Sequence, residues 1–394
     1  MHPHSRIPRP WALSALLSIL TLAAPNVGSA QAIAYDPSMV SQLRYRYVGP
    51  VGNRVSSIAG IPGDPNTYYA GAASGGIWKT TDGGIHWAPI FDDQAVSSVG
   101  ALAVAQSSPD VVWAGTGEPW IRSHISIGDG VYKSTDAGRS WTKMGLDATG
   151  RIGRIVIDPT NPDIVFIAAQ GHSYGPQQER GVYRTQDGGT TWQRVLFVDQ
   201  NTGAIDVVMH PTNRQILFAA MWQLELHTWG RTSGGPGSGI FMSRDGGSNW
   251  TRLRGNGLPT HDVGKIGLAI SHSNPNRIYA LIETGDGVPV NGQPTDNGEL
   301  WRSEDGGVNW KVVSYDRNLA CRQPYYTRVT VSTDNPDEAY FLCASFSRTL
   351  DGGVSVTEGG RGGGAVAAAA AGAGGGGRGG RGGAGGGRGG AAQG

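Results

Sequence analysis

The chain has 394 residues, with 32 Lys and Arg against 31 Asp and Glu, 64 glycines and two cysteines. Glycine far exceeds its usual share of about 7%, and it forms two populations, one spaced through the body and one packed into the last 37 residues. With the first 32 residues and those after residue 357 set aside, 26 basic and 30 acidic residues remain, and a body of net charge −4 lacks the positive field that nucleic-acid phosphates require.

Arg6 and Arg9 precede an apolar run from Ala12 to Ala24, and small residues follow at Gly28-Ser29-Ala30-Gln31-Ala32. This pattern predicts a secretory signal peptide over residues 1–32. Pro25 and Asn26 interrupt the run before it reaches the roughly 20 apolar residues of a membrane span, and no later segment could cross a bilayer. The mature chain is therefore expected to be secreted or periplasmic.

Residues 33–357 carry one recurring octapeptide: T-T-D-G-G-I-H-W from Thr80, S-T-D-A-G-R-S-W from Ser134, T-Q-D-G-G-T-T-W from Thr185, S-R-D-G-G-S-N-W from Ser243 and S-E-D-G-G-V-N-W from Ser303. A sixth copy from Thr349 ends in Val356 instead of tryptophan. Its aspartates, Asp82, Asp136, Asp187, Asp245, Asp305 and Asp351, are 54, 51, 58, 60 and 46 residues apart. A hydroxyl and a carboxylate two residues apart can both bond the backbone of a tight reversal, and glycine supplies a positive φ there. These aspartates are accordingly expected to be structural. An aromatic residue (Trp78, Tyr132, Tyr183, Phe241, Trp301) stands two before each hydroxyl of the five full copies, and pairs of short apolar runs joined by Pro/Asn turns, such as that from Ile155, lie upstream. Each repeat thus supplies four strands, A to D, with the octapeptide joining C to D, and such radial repetition predicts an all-β propeller of six four-stranded antiparallel blades. The sixth repeat shows no convincing D strand, and the strand Arg44–Val48 could fill its place. The alternative is an open arc cut from a larger propeller.

The octapeptides resemble the Asp-box, or bacterial neuraminidase repeat, of sialidases, other glycosidases and sortilin-type receptor propellers. The segments G-N-R-V-S-S-I-A-G-I-P-G-D-P-N-T-Y-Y-A-G from Gly52 and N-T-G-A-I-D-V-V-M from Asn201 resemble exported bacterial proteins described as sortilin N-terminal-domain or Asp-box glycosyl-hydrolase-like proteins. The similarity spans about residues 43 to 353, and the chain resembles a shortened member. It implies a propeller that binds peptide, protein or glycan.

In the usual propeller wiring the octapeptide turns share one face with the A–B turns, and the B–C and D–A loops form the other. Long loops on a rigid scaffold commonly carry function. The B–C loops hold Glu118, Trp120 and Arg122, then His172, Glu179 and Arg180, then Trp222, Trp229 and Arg231; the D–A loops add His261 with Asp262, and Tyr325 with Tyr326. Arg54 precedes the first repeat. Aromatics and arginines around an opening suit a peptide or glycan ligand, so binding is the favoured reading. The alternative is a glycoside hydrolase, sialidase-like or other, with Glu118, Glu179 and Tyr326 as the weakly marked catalytic candidates. Neither cofactor nor metal is expected, because no histidine pair or acidic loop has ligand spacing. Cys321 and Cys343 flank an A–B hairpin and could form a disulfide. Residues 358–394, nearly all Gly, Ala and Arg, cannot bury enough apolar surface to offset chain entropy and are expected to be disordered.

Overall fold

The computed structural model describes residues 54–122, 124–284, 298–320, 322–343 and 346–359. The signal-peptide segment, Arg44–Val48, Cys321 and the tail from residue 360 lie outside them.

Each repeat folds into one antiparallel sheet with its strands in sequence order. Blade 1 holds β1 (Val55–Ile61), β2 (Asp64–Ala72), β3 (Ile77–Thr80) and β4 (Ala88–Pro89), and blade 2 holds β5 (Val99–Val104), β6 (Val112–Thr116), β7 (Val131–Ser134) and β8 (Thr142–Lys143). Blade 3 is β9 (Ile152–Asp158), β10 (Asn161–Ala169), β11 (Gly181–Thr185) and β12 (Gln193–Leu196). Blade 4 has β13 (Thr202–Met209), β14 (Leu217–His227), β16 (Gly239–Ser243) and β17 (Thr251–Arg252), with β15 (Gly230–Ser233) added as a hairpin on β14. Blade 5 comprises β18 (Ile266–Ile270), β19 (Ile278–Ile282), β20 (Leu300–Ser303) and β21 (Lys311–Ser314), and blade 6 comprises β22 (Val329–Val331), β23 (Ala339–Leu342), β24 (Phe346–Thr349) and β25 (Thr357–Gly359). The protein is an all-β propeller of six blades. Its one α-helix among the described residues is the four-residue α1 (Gln323–Tyr326).

The sixth blade corrects the expectation of a borrowed strand. Its fourth strand is β25, which follows the last octapeptide and pairs with β24. Loss of the tryptophan leaves the reversal intact, because the hydroxyl and carboxylate bonds persist without it: Thr349 Oγ1 donates to Asp351 Oδ1 at 2.8 Å and accepts from Gly353 N at 2.9 Å.

The same bonds recur in every copy. The hydroxyl bonds the aspartate, from Thr80–Asp82 at 2.8 Å to Ser303–Asp305 at 2.9 Å. The aspartate in turn accepts the backbone N–H and the side chain of the residue four later, as with Asn249 at 2.9 and 2.7 Å from Asp245. Each turn also donates a backbone N–H to the A–B turn of its own blade, as Gly83 does to Asn66 O and Gly352 to Asp337 O. Octapeptides and A–B turns therefore share one face. The residue before the hydroxyl adds a latch to the next blade: Lys79 Nζ bonds Ala137 O, Lys133 Nζ bonds Gly188 O, Arg184 Nη1 bonds Gly246 O and Arg302 Nη1 bonds Gly352 O, at 2.5–3.0 Å.

Buried clusters fill the spaces between neighbouring blades, such as Phe218, Trp222, Ile240, Ile266 and Trp301 between blades 4 and 5. The inner strands β5, β9 and β13 pack so closely that a Cβ on Gly100 would lie 2.4 Å from Ile152 O, and one on Gly153 would lie 2.3 Å from Ile205 O. The first and last blades are packed differently. Val55 and Ile58 of β1, and Leu342 and Phe346 of blade 6, are exposed, and Arg348, at the latch position, instead pairs with Glu338 at 2.7 Å.

Candidate functional site

The face opposite the octapeptides is built around the propeller axis by the starts of the inner strands. The residue immediately before β1, β9, β18 and β22 is a cation: Arg54, Arg151, Lys265 and Arg328. Only Arg54 among these was a site candidate from sequence, although the repeat itself marks the position.

The B–C loop of blade 2 crosses this ring. Glu118 is fully buried and accepts Arg54 Nη1 at 2.7 Å, Arg122 Nε at 3.0 Å and Arg122 Nη2 at 3.3 Å. Both carboxylate oxygens are thus committed to arginines. Trp120, two residues on, is buried over the axis: its Nε1 donates to Ser56 O at 3.2 Å, Lys265 Nζ lies 4.2 Å from its ring centroid, and Arg328 Cζ lies 4.4 Å from it. Cations against an indole face gain electrostatic attraction, more so when desolvated. Lys265, completely buried, also donates to Tyr325 O at 2.9 Å, and burial pushes its pKa well below the usual lysine range. This interaction docks α1, whose Tyr325 and Tyr326 rings meet edge to face at 4.6 Å.

Trp222 is likewise buried and donates to Ser233 Oγ at 3.1 Å, which donates onward to Glu283 Oε2 at 2.7 Å. Nearby, Glu299 is buried with both oxygens accepting Gln323 Nε2, at 2.9 and 3.1 Å. Burial raises its pKa to about 7, with the Glu283 and Asp316 charges adding to the rise and Gln323 and Arg317 opposing it. A carboxyl kept neutral when folded but ionised when unfolded stabilises fully below the unfolded value near 4.5, and this contribution is lost as pH rises through about 7. Glu299→Gln is therefore expected to raise the melting temperature at pH 8.5 and leave it unchanged at pH 4.5. Equal shifts at both pH values would rule out ionisation as the cause.

A second group of candidates lies at the rim between blades 3 and 4. Arg180 is buried, its pKa lowered to about 10 by desolvation. It donates to Gly175 O at 2.9 Å, Leu224 O at 3.1 Å, and the carbonyls of His172 and Asn201. It thereby ties the B–C loop of blade 3 to β14. Desolvation and then the Arg151 charge lower the pKa of half-buried His172. Glu179 is half-buried on the same loop and makes no ion pair among the described residues. The run from Met221, expected as a loop, is instead an extension of β14 that pairs with β15; burial alternates along Trp222–Leu226, the period-2 pattern of a strand.

At the tip of that hairpin Trp229 is 85% exposed and stacks on His227, ring centroids 5.0 Å apart and planes 7° from parallel. Leu226 N donates to Ser173 O at 2.6 Å, which brings the hairpin against Tyr174, itself 58% exposed. Arg231 is exposed on β15. His261 and Asp262 are separate from this rim, exposed beside a cavity of about 260 Å³ floored by Ile240, Leu258 and Ile266. Tyr174 and His227 were not singled out from sequence. No group of three metal-ligating side chains occurs among the described residues. Cys343 is in a disulfide.

Comparison with known proteins shows what the chain is similar to. The model of the Sortilin-Vps10 family, described as sortilin, neurotensin receptor 3, matches residues 129–284. Over those residues the chain resembles sortilin-type propellers. It is also similar to xyloglucanases. A probable oligoxyloglucan-reducing end-specific xyloglucanase of Neosartorya fischeri is 30% identical over 150 residues, covering 36% of this chain and 17% of the relative. A xyloglucanase of Acetivibrio thermocellus is 24% identical over 372 residues, covering 82% of this chain and 40% of the relative. Among solved structures, the GH74 enzyme of Niastella koreensis superposes with a TM-score of 0.56 at 19% identity, over 75% of this chain and 45% of the enzyme, and shares its fold. The chain spans less than half the length of each of these relatives.

Proposed function

We propose that this propeller acts on a β-glucan of the xyloglucan kind, as a glycoside hydrolase-like protein that takes the polysaccharide along the rim between blades 3 and 4. The observation that carries the reading is the Trp229–His227 stack, an exposed aromatic platform with Tyr174 on the adjoining loop. A sugar ring presents an apolar face that packs on such a surface, while its hydroxyls bond the polar groups around it. Similarity to xyloglucanases supports a glucan over a peptide.

A hydrolase needs two carboxylates flanking the scissile bond. Glu118 does not suit either role, because two guanidinium groups occupy it. On the glucan rim the accessible carboxylates are Glu179 and Glu225, the latter on β14 with a 3.9 Å contact to His227. They are the residues on which turnover would rest. The test is binding and reducing-end release with xyloglucan oligosaccharides. Trp229→Ala is expected to weaken binding about tenfold or more, the loss typical of removing an interface anchor, with an unchanged melting temperature. Unaltered affinity, or saturable binding of unrelated peptides in place of xyloglucan, would overturn the proposal.

A further inference from the structure

Two cavities of about 450 and 360 Å³ occupy the propeller axis, and both are lined by Arg154, Ile155, Val329 and Thr330. Such volumes match those of small-molecule sites. The smaller opens among the A–B turns, where His210 and His272 stand, on the face remote from the glucan rim. The larger is lined also by Arg328, Ala101 and Leu102, and it reaches between blades 1 and 6, where Val55, Ile58, Tyr340 and Leu342 line it; Arg328 Cζ lies 4.4 Å from the Trp120 ring centroid.

Arg328 distinguishes this space from an ordinary channel. A guanidinium carries five N–H donors in a planar fork, and that of the half-buried Arg328 lines the larger cavity. Among the described residues the fork of Arg328 makes one long hydrogen bond, to Gly153 O at 3.5 Å, and no ion pair. The other members of the cation ring are served differently: Arg54 by Glu118, Lys265 by the carbonyls of α1, and Arg151 by the carbonyls of Gly171 and Ile125. Asp206 attracts Arg328 electrostatically, without a direct ion pair among the described residues. Its oxygens accept Val207 N and Leu268 N, both at 3.0 Å, and Arg154 Nε approaches at 3.8 Å. The axis therefore holds two guanidinium groups against one carboxylate that is already engaged.

We propose that this axial cavity is a binding site for a small organic carboxylate, with Arg328 as its anchor and Arg154 as a second cation. The planar fork matches a carboxylate in bidentate fashion, and the contact with the Trp120 ring holds the guanidinium at the cavity. Ile155, Val329 and Leu102 supply an apolar wall for the body of the acid. The site is independent of the glucan rim and does not rest on that reading.

The test uses the full chain with hexanoate as probe and hexanamide as its uncharged counterpart, followed by titration calorimetry. Hexanoate is expected to bind saturably, at least tenfold more tightly than hexanamide. Arg328→Met should abolish that preference, Arg328→Lys should retain part of it, and Arg154→Met should weaken it while leaving binding detectable. If Arg328→Met does not fold, the Lys and Arg154 variants decide, since each keeps a cation on the axis. Equal affinity for hexanoate and hexanamide, stronger binding of inorganic phosphate than of hexanoate, or full hexanoate affinity in Arg328→Lys and Arg154→Met together would overturn the proposal.

Discussion

Glu118→Ala is expected to destabilise the propeller more than any other single substitution on the loop face. The side chain is fully buried and neutralises Arg54 and Arg122, with Arg151 within electrostatic reach. Breaking a buried ion pair by removing one partner typically costs about 3–5 kcal/mol, because the remaining charges lose their compensation. Arg54 and Arg122 are 40% and 27% exposed, so water can partly rehydrate them and the lower end, about 3 kcal/mol, applies. In a domain of this size that corresponds to a fall in melting temperature of roughly 5 °C. The substitution also frees the loop that carries Trp120 over the axis. Thermal melting beside xyloglucan binding separates the alternatives: a large fall in melting temperature with affinity retained in the folded fraction supports a scaffold role. A constant melting temperature with lost affinity would instead make Glu118 a ligand-binding group.

The same residue illustrates what the sequence discloses. The repeat was legible because the octapeptide is local chemistry, its bonds joining residues two and four apart, and every copy carries its own. The latch was not read from sequence, although Lys79, Lys133, Arg184 and Arg302 all precede the hydroxyl of an octapeptide, because each reaches a carbonyl 50 or more residues away. Nor was the ring of cations ahead of the inner strands, of which only Arg54 was a candidate. Three tryptophans on the loop face likewise could not be told apart. Trp120 and Trp222 are buried by Lys265, Arg328 and Ser233, and Lys265 and Arg328 are more than 140 residues from Trp120 in sequence, whereas Trp229 is exposed because a hairpin carries it clear of the blade. Strand β25 escaped notice for a related reason. T-E-G has little strand propensity of its own, and it becomes a strand because the turn delivers it to β24.

Acidification should expose the combined contribution of the six octapeptides. Asp187, Asp245, Asp305 and Asp351 have pKa values held down to about 2, and Asp82 and Asp136 lie lower still. The principal cause in every copy is the residue four later, whose backbone and side chain both donate to the carboxylate: His86, Ser140, Thr191, Asn249, Asn309 and Ser355. In the unfolded chain these groups return to the ordinary value near 3.8. Between that pH and about 2 the unfolded state binds more protons than the folded one, so stability falls as pH falls. The contribution is fully present above about pH 5. It is lost progressively on the way to pH 2, in all six blades together. Melting temperature is thus expected to drop steeply below pH 4, with a shallower decline above pH 4.5 from Glu299, leaving an optimum near pH 4.5–5. Asp245→Asn retains an acceptor oxygen but cannot titrate, so it should reduce the steepness of the acid limb while lowering stability at pH 7. An acid limb of unchanged steepness in that variant, and in the matching Asp187→Asn and Asp305→Asn variants, would show that protonation elsewhere governs acid unfolding.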